Sequence, residues 1–233
     1  KLVMSNSIKR IAATIALAAS FAAAPAQATT FTLSDINGVD FTFDGVNGAN
    51  SFTLTMEALG TTMTGDWASA TDLGAVGFKD LGVDFSTATD IQLTASPTAT
   101  TPSPWVGINA ELNAAACSGG SPDAAVCFSG TSGGTPLSLY DAGSFVTTVL
   151  TVSWTGDALA IDALTGAHLK VQMVSACAPG GSCNPDSGYT GYAKEGTLVS
   201  LNMVGTVPAP TTLALMSLAL LGIGAARARR ETV

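Results

Sequence analysis

Alternation of apolar with small polar residues runs through the middle of this chain and limits what it can fold into. Residues 39–44 read Val-Asp-Phe-Thr-Phe-Asp, and residues 52–57 read Phe-Thr-Leu-Thr-Met-Glu. A repeat of two places every second side chain on one face of a β-strand, whereas a helix needs a repeat near 3.6. Glycines at 45 and 48 supply the turn that joins the two segments as a hairpin. The pattern predicts strands that are buried on one face.

Further segments with strand-like composition extend this pattern along the chain. They are residues 31–33, 83–85, 91–95, 106–112, 145–154, 169–174 and 198–204. About eight to ten short strands separated by turn residues are typical of a β-sandwich, of jelly-roll or immunoglobulin-like type. Helix is expected only in short pieces such as residues 109–116, whose Ala-rich sequence also fits a strand. The sequence therefore predicts an all-β sandwich.

The N-terminal segment has the layout of a secretory signal peptide. Two basic residues precede an uncharged, Ala-rich run of 14 residues at 11–24, and the small residues Ala26 and Ala28 follow. The run is short for a membrane-spanning helix, which needs about 20 residues. A buried core helix is the alternative, but such a helix would show a polar face. We expect residues 1–28 to be a helical signal peptide that signal peptidase removes after Ala28.

The C-terminal segment consists of a Pro-containing motif, a short apolar run and a cluster of arginines. The motif is Val207, Pro208, Ala209 and Pro210, the run is 213–226, and the cluster within residues 227–230 is Arg227, Arg229 and Arg230. A helix of this length spans about 21 Å, short of the roughly 30 Å hydrocarbon core, so it holds a protein in the membrane only marginally. The arginines keep their end in the cytoplasm.

This three-part tail, residues 207–233, resembles the C-terminus of the PEP-CTERM family, the substrates of exosortase or archaeosortase sorting enzymes. Ala209 stands where the family usually has Glu between the two prolines. The resemblance implies export across the inner membrane of a Gram-negative bacterium and transient anchoring by a short C-terminal helix. It also implies recognition by an exosortase-type enzyme on the way from the periplasm to the cell surface or extracellular matrix. A single-pass anchor that is never removed is the alternative.

Residues 29–206 lie between these two segments and are long enough for one domain with its own core. This exported domain is strongly acidic: 16 acidic residues face three lysines, Lys79, Lys170 and Lys194, which gives a net charge of −13. Such a surface repels phosphate backbones, so nucleic acid is not an expected partner. Divalent cations, polycations and neutral glycans are compatible with it.

All four cysteines lie in the exported domain, where an oxidising compartment favours disulfides. Three pairings are possible. The local one, Cys117 with Cys127 and Cys177 with Cys183, is expected because both intervening segments carry turn-forming Gly and Pro residues. The alternative is a zinc site, but nine and five residues separate these pairs, whereas zinc knuckles space their ligands about two to four residues apart.

Motifs for catalysis are missing from the sequence. His168 is the only histidine, and a nucleophile elbow, a zinc-protease motif and a phosphate-binding loop are all absent. Asp157 with Asp162, or Glu57 with Asp66, could serve as acid and base on a glycoside, but a chain with this many acids produces such pairs by chance. We expect a protein that is not an enzyme and assign no catalytic residue.

Two kinds of ligand fit the sequence without defining a site. Calcium could bind the oxygen-rich turns at 35–40 and 44–48, although these miss the EF-hand spacing and their side chains can equally bond their own backbone. Sugar rings could stack on Tyr189 and Tyr192 together with the three tryptophans, which more often fill a core. No cofactor or metal ligand is assigned.

The function expected from these features is an exported, non-enzymatic protein of the cell surface or extracellular matrix. The resemblance implies a link to exopolysaccharide and biofilm formation, with exopolysaccharide as a possible partner. Two alternatives remain on the same scaffold. One is a carbohydrate-binding module or weak hydrolase, and the other is a calcium-dependent, adhesin-like protein.

Overall fold

A computed structural model describes residues 28–97, 105–120, 124–130, 135–162, 166–177 and 191–203. In these ranges the chain forms β-strands and one 3₁₀ turn, Gly65–Trp67, with no α-helix, and none of their helical structure is long and apolar enough to cross a membrane. The predicted all-β class is therefore confirmed. The predicted C-terminal tail, and the predicted signal peptide except for Ala28, lie outside the described residues.

Thirteen strands are present in the described ranges, and nine of them have five or more residues. They are β1 (Ala28–Ile36), β2 (Val39–Val46), β3 (Ser51–Ala58), β4 (Asp72–Lys79), β5 (Thr89–Ser96), β6 (Trp105–Val106), β7 (Ala125–Ser129), β8 (Leu137–Ser138), β9 (Tyr140–Asp141), β10 (Ser144–Phe145), β11 (Thr148–Thr155), β12 (Ala167–Ala176) and β13 (Tyr192–Met203). The other four strands, β6, β8, β9 and β10, have two residues each. They are too short to show an alternating pattern in the sequence.

Two antiparallel sheets pack face to face as a sandwich. The first sheet has the order β1-β2-β3-β11-β5-β6, and the second has β13-β12-β4-β7 with β8 also paired to β4. Strands β9 and β10 form a separate hairpin. Because distant segments of the chain become neighbours in both sheets, strand order could not be read from the sequence.

The alternating residues of the sequence form the core between the sheets. Phe43 of β2 stacks on Phe52 of β3 at 4.8 Å between ring centroids, and Phe52 meets Phe78 of the second sheet edge-on at the same distance. All three rings are almost fully buried. Aromatic pairs in these geometries add roughly 0.5–1.5 kcal/mol each to the area that they bury. The strand predictions at 39–44 and 52–57 are confirmed, as is the inward direction of their apolar side chains.

Three predicted elements are wrong. Residues 83–85 form a turn region rather than a strand, although Val83 and Phe85 are buried. In the segment 106–112 only Val106 belongs to a strand, and residues 109–116 form no helix.

Strand β4 was not predicted because Asp72–Phe78 is buried on both faces and therefore shows no alternation.

The reason for this double burial is a covering segment, residues 107–120, that lies over the outer face of the second sheet. Its residues pack in a small second core formed by Ala75, Ala110, Leu112, Ala116, Cys127 and Val174. The backbones of Ile108 and Cys127 exchange two hydrogen bonds of 3.0 Å, and a disulfide joins Cys117 to Cys127. That predicted disulfide is confirmed. Cys177 is also disulfide-bonded, and its expected partner, Cys183, lies outside the described residues.

Gly77 of β4 makes room for the covering segment. A Cβ atom added at Gly77 would lie 2.9 Å from the Cβ atom of Leu112, closer than two such carbons can approach. We expect Gly77→Ala to lower the free energy of unfolding by about 1–3 kcal/mol, because the covering segment must shift. Urea unfolding measures this, with Gly60→Ala as the control, since nothing lies within 4 Å of a Cβ atom there. Equal stability of the two variants would contradict the close contact.

Gln172 of β12 is a polar side chain in an apolar layer. It lies opposite Ala75, is fully buried, and neither its amide nitrogen nor its amide oxygen has a hydrogen-bond partner. A buried polar group without a partner costs about 1–3 kcal/mol. We expect Gln172→Met, which keeps the volume and removes the amide, to raise the free energy of unfolding by about 1 kcal/mol or more. A lower urea midpoint than that of the wild type would show that the amide is satisfied.

Candidate functional site

Two polar surfaces of the sandwich are candidates for function. One is a charged cluster of Lys79, Glu111 and Lys170 on the outer face of the second sheet. The other is the outer face of the first sheet, which is rich in threonine.

The charged cluster is assembled by the two sheet strands β4 and β12 together with the covering segment. Lys79 lies opposite His168, and Lys170 lies opposite Gly77, so both lysines are on the outer face. Leu112 packs over Gly77, which brings the neighbouring Glu111 to the two ammonium groups. Its Oε1 accepts hydrogen bonds from Lys170 Nζ at 2.5 Å and from Lys79 Nζ at 3.3 Å. The cluster therefore attaches the covering segment to both strands.

The two lysines lower the pKa of the Glu111 carboxyl group. The main cause is the hydrogen bond that Lys170 donates to Glu111. The charge of Lys170 and the contacts with Lys79 also lower the pKa of Glu111, whereas burial raises it. Its side chain is 29% exposed, so solvent screens the ion pairs and their contribution is modest.

A narrow pocket adjoins the charged cluster and is lined in part by His168, Lys170 and Glu111. Its volume of about 10 Å³ is close to the space that one water molecule needs. We call this cluster the latch, because its ion pairs join the covering segment to β4 and β12.

His168 is held by a polar bridge between strands. Its Nδ1 lies 2.6 Å from Asn202 Oδ1 and its Nε2 lies 2.7 Å from Ser200 Oγ, both on β13. A serine, a histidine and an amide linked in this way have the arrangement of a nucleophile, a general base and a group that orients the base. Acyl transfer also needs a site that excludes water and hydrogen-bond donors for the oxyanion. These three side chains lie on the surface of a strand pair, with Ser200 and Asn202 exposed. They act here as cross-strand contacts.

The latch predicts a pH dependence of stability. A carboxyl group whose pKa is lower in the folded than in the unfolded state stabilises the fold at pH values above its unfolded-state pKa, which is 4.5 for Glu111. This stabilisation is lost as the pH falls through the folded-state pKa. We expect Glu111→Gln to lower the free energy of unfolding at pH 7 by up to about 1 kcal/mol. The difference from the wild type should shrink below pH 4.5. Urea unfolding across this range checks it, with the exposed Glu57→Gln as control, and a difference that stays constant with pH would contradict it.

Oxygen-rich turns at 35–40 and 44–48 use their side chains to bind the chain itself. Asp40 Oδ1 accepts a hydrogen bond from the Asp35 backbone nitrogen at 2.8 Å, and Asp44 Oδ1 accepts one from Thr30 Oγ1 at 2.6 Å. Asn47 exchanges two hydrogen bonds with the backbone of Ile161. Among the described residues no three or more His, Cys, Asp or Glu side chains are grouped as metal ligands. The side chains of Asp40, Asp44 and Asn47 thus make hydrogen bonds within the chain itself.

Tryptophans that could have stacked on sugars are in the core. Trp67, Trp105 and Trp154 are 0%, 7% and 5% exposed, which confirms the core interpretation and shows that they form no sugar platform. Tyr192 is half-buried and packs against the second core, while Tyr189 lies outside the described residues.

The carboxylate pairs considered for glycoside hydrolysis fall on different elements. Glu57 lies at the end of β3, whereas Asp66 lies in the 3₁₀ turn and packs against Gly196 of β13. Asp157 and Asp162 are exposed in the loop after β11. None of these four lines the pocket next to the latch.

The outer face of the first sheet carries hydroxyl groups in ordered rows, and we call it the hydroxyl face. It is formed by Thr30, Thr32, Thr42, Ser51, Thr53, Thr55, Thr94, Ser96, Thr151 and Ser153, all exposed or half-buried. Pairing between strands aligns Thr32, Thr42 and Thr55 in one row, and Thr53, Thr151 and Thr94 in the next. Sequence reasoning saw the alternating threonines but missed the rows, because they depend on register between distant strands.

Charge on the hydroxyl face has one sign. Asp40 and Asp44 of β2 and Glu57 of β3 point outward with the threonines, and Asp40 lies directly opposite Glu57. The six strands of this sheet contain no Lys, Arg or His. The face can therefore offer hydrogen-bond donors and acceptors from its hydroxyl groups and negative charge at the β1–β3 end.

Comparison of this chain with family models, with curated proteins and with solved structures found no match.

Proposed function

We propose that this chain is an exported, non-enzymatic protein of the cell surface or extracellular matrix that an exosortase-type system sorts by its C-terminal tail. The observation that supports export is the disulfide between Cys117 and Cys127, whereas the sorting route rests on the pattern of the C-terminal tail. The disulfide ties the covering segment to β7, and such a structural disulfide persists in an oxidising compartment outside the cytoplasm. The signal-peptide pattern at residues 1–28 and the tail pattern at residues 207–233 agree with that compartment.

A role without catalysis is supported by the state of the groups that could react. His168, the only histidine, bonds to Ser200 and Asn202, and both of these lie exposed on a strand surface rather than in a site that excludes water. The carboxylate of Glu111 is held by two lysines, and the adjoining pocket has room for one water. What the sandwich offers instead is a broad acidic surface that hydrates well and attracts cations.

Processing of the two ends tests this proposal. We expect the protein recovered from the cell surface to begin at Thr29 and to end near Pro208 to Pro210, because both apolar segments are addresses that are removed. Intact mass spectrometry of the native protein measures both ends, and a strain without the sorting enzyme is the control, in which the tail should remain. A wild-type product that retains Arg230 would make the tail a permanent anchor. Recovery from the cytosol with residues 1–28 attached would refute export.

Carbohydrate binding is the second candidate function. The hydroxyl face favours it, because ordered Thr and Ser hydroxyl groups on an uncovered sheet can bond the hydroxyl groups of a glycan. It is compatible with the first proposal, since a matrix protein must hold on to other matrix components.

A further inference from the structure

We propose that the hydroxyl face is the docking surface for a cationic, hydroxyl-rich polymer, namely a polysaccharide of amino sugars with free amino groups. This inference rests on the proposed extracellular role and names the partner.

The hydroxyl face is the side of the sandwich that no described segment covers. The covering segment lies over the second sheet and packs onto it through Leu112 and Ala116. On the first sheet, Thr32, Thr94 and Ser153 remain exposed, and Thr53 is half-buried among its neighbours. A flat ligand can thus reach the first sheet across several strands without displacing any part of the described chain.

Geometry gives the hydroxyl groups a regular spacing. Neighbouring strands lie about 4.8 Å apart, and alternate residues along a strand lie about 6.5–7 Å apart. Thr53 and Thr55 on β3, with Thr42 on β2 and Thr151 on β11, occupy adjacent points of this grid. Threonine is stiff at χ1, so ordering these hydroxyl groups on a ligand costs little entropy. Such a grid suits an extended polymer that offers many hydroxyl groups.

Charge selects among hydroxyl-rich polymers. Hydroxyl groups of a neutral glycan can donate hydrogen bonds to the outward carboxylates Asp40, Asp44 and Glu57 but leave their negative charge unpaired, and an acidic glycan would be repelled. Ammonium groups on the polymer would pair with the carboxylates. The net charge of −13 on residues 29–206 also attracts a polycation over a distance and raises its rate of encounter. Rows of hydroxyl groups beside carboxylates therefore match a glycan that carries both hydroxyl and ammonium groups.

Binding of three oligomers separates the contributions of charge and of hydroxyl groups. At a mildly acidic pH, which protonates its amino groups and leaves carboxylates ionised, a β-1,4-linked glucosamine hexamer has both. Its fully N-acetylated counterpart lacks the charge, and hexalysine lacks the hydroxyl groups. Isothermal titration calorimetry on the processed protein should show that the glucosamine hexamer binds at least about tenfold more tightly than either of the others, with affinity falling as salt is raised. Absence of binding, or equal binding of hexalysine or of the N-acetylated hexamer, would overturn the proposal.

Variants locate the surface. Thr151→Lys places a positive charge in the middle of the hydroxyl face and should weaken binding of the glucosamine hexamer by about tenfold, since like charges meet. Thr135→Lys makes the same change in the exposed segment before β8 of the second sheet and should bind as the wild type does. Unchanged affinity of Thr151→Lys would refute the assignment.

A milder pair of variants guards against misfolding. Asp44→Asn keeps the acceptor for Thr30 but removes a charge, and should weaken binding by about two- to fivefold, whereas the exposed Asp157→Asn should not. Equal affinities of these two variants would count against the face. These titrations use isolated protein, so a negative result would overturn the docking surface but not the proposed export and tail processing. In the same way, a negative result for processing would not affect the binding measurements.

Discussion

Burial of strand β4 on both of its faces is the constraint on which the rest of the structure depends. Its inner face meets the first sheet through Phe78, and its outer face needs a cover of its own. Residues 107–120 supply that cover and pack on the strand through Ala110, Leu112 and Ala116. The disulfide at Cys117 and the ion pairs of Glu111 fix the two flanks of this segment. Gly77 allows the close approach.

This arrangement makes the two outer faces of the sandwich different. The second sheet carries an extra layer, all three lysines of residues 29–206, and a buried Gln172 without partners. On the first sheet, no described segment forms an extra layer over the threonine rows, and the outward residues there are polar, as suits a face in contact with water. The covered face is tied together by the disulfide and the ion pairs, whereas the threonine rows are exposed or half-buried.

Strands were predicted correctly from the sequence where one face of the strand is exposed to solvent and the other face is buried. Residues 39–44 and 52–57 alternate because β2 and β3 lie between the core and solvent. Prediction failed where both faces of a strand are buried, as in β4, and in the covering segment, where Leu112 is buried without belonging to a strand. The pairing of Cys117 with Cys127 was predicted because chain direction reverses between them, which local turn residues reveal. The latch of Glu111 with Lys79 and Lys170 was not predicted, because 32 and 59 residues separate the partners.

The sequence by itself determined the all-β class, the sign of the charge and the inward or outward direction of most strand residues. These follow from composition and from a repeat of two, which act over a few residues. Only the tertiary structure decided which strands are neighbours, and with that the rows of threonine and the closeness of Asp40 to Glu57. Register between strands is set by how the two sheets fill one core, a condition on the whole chain that no local pattern contains.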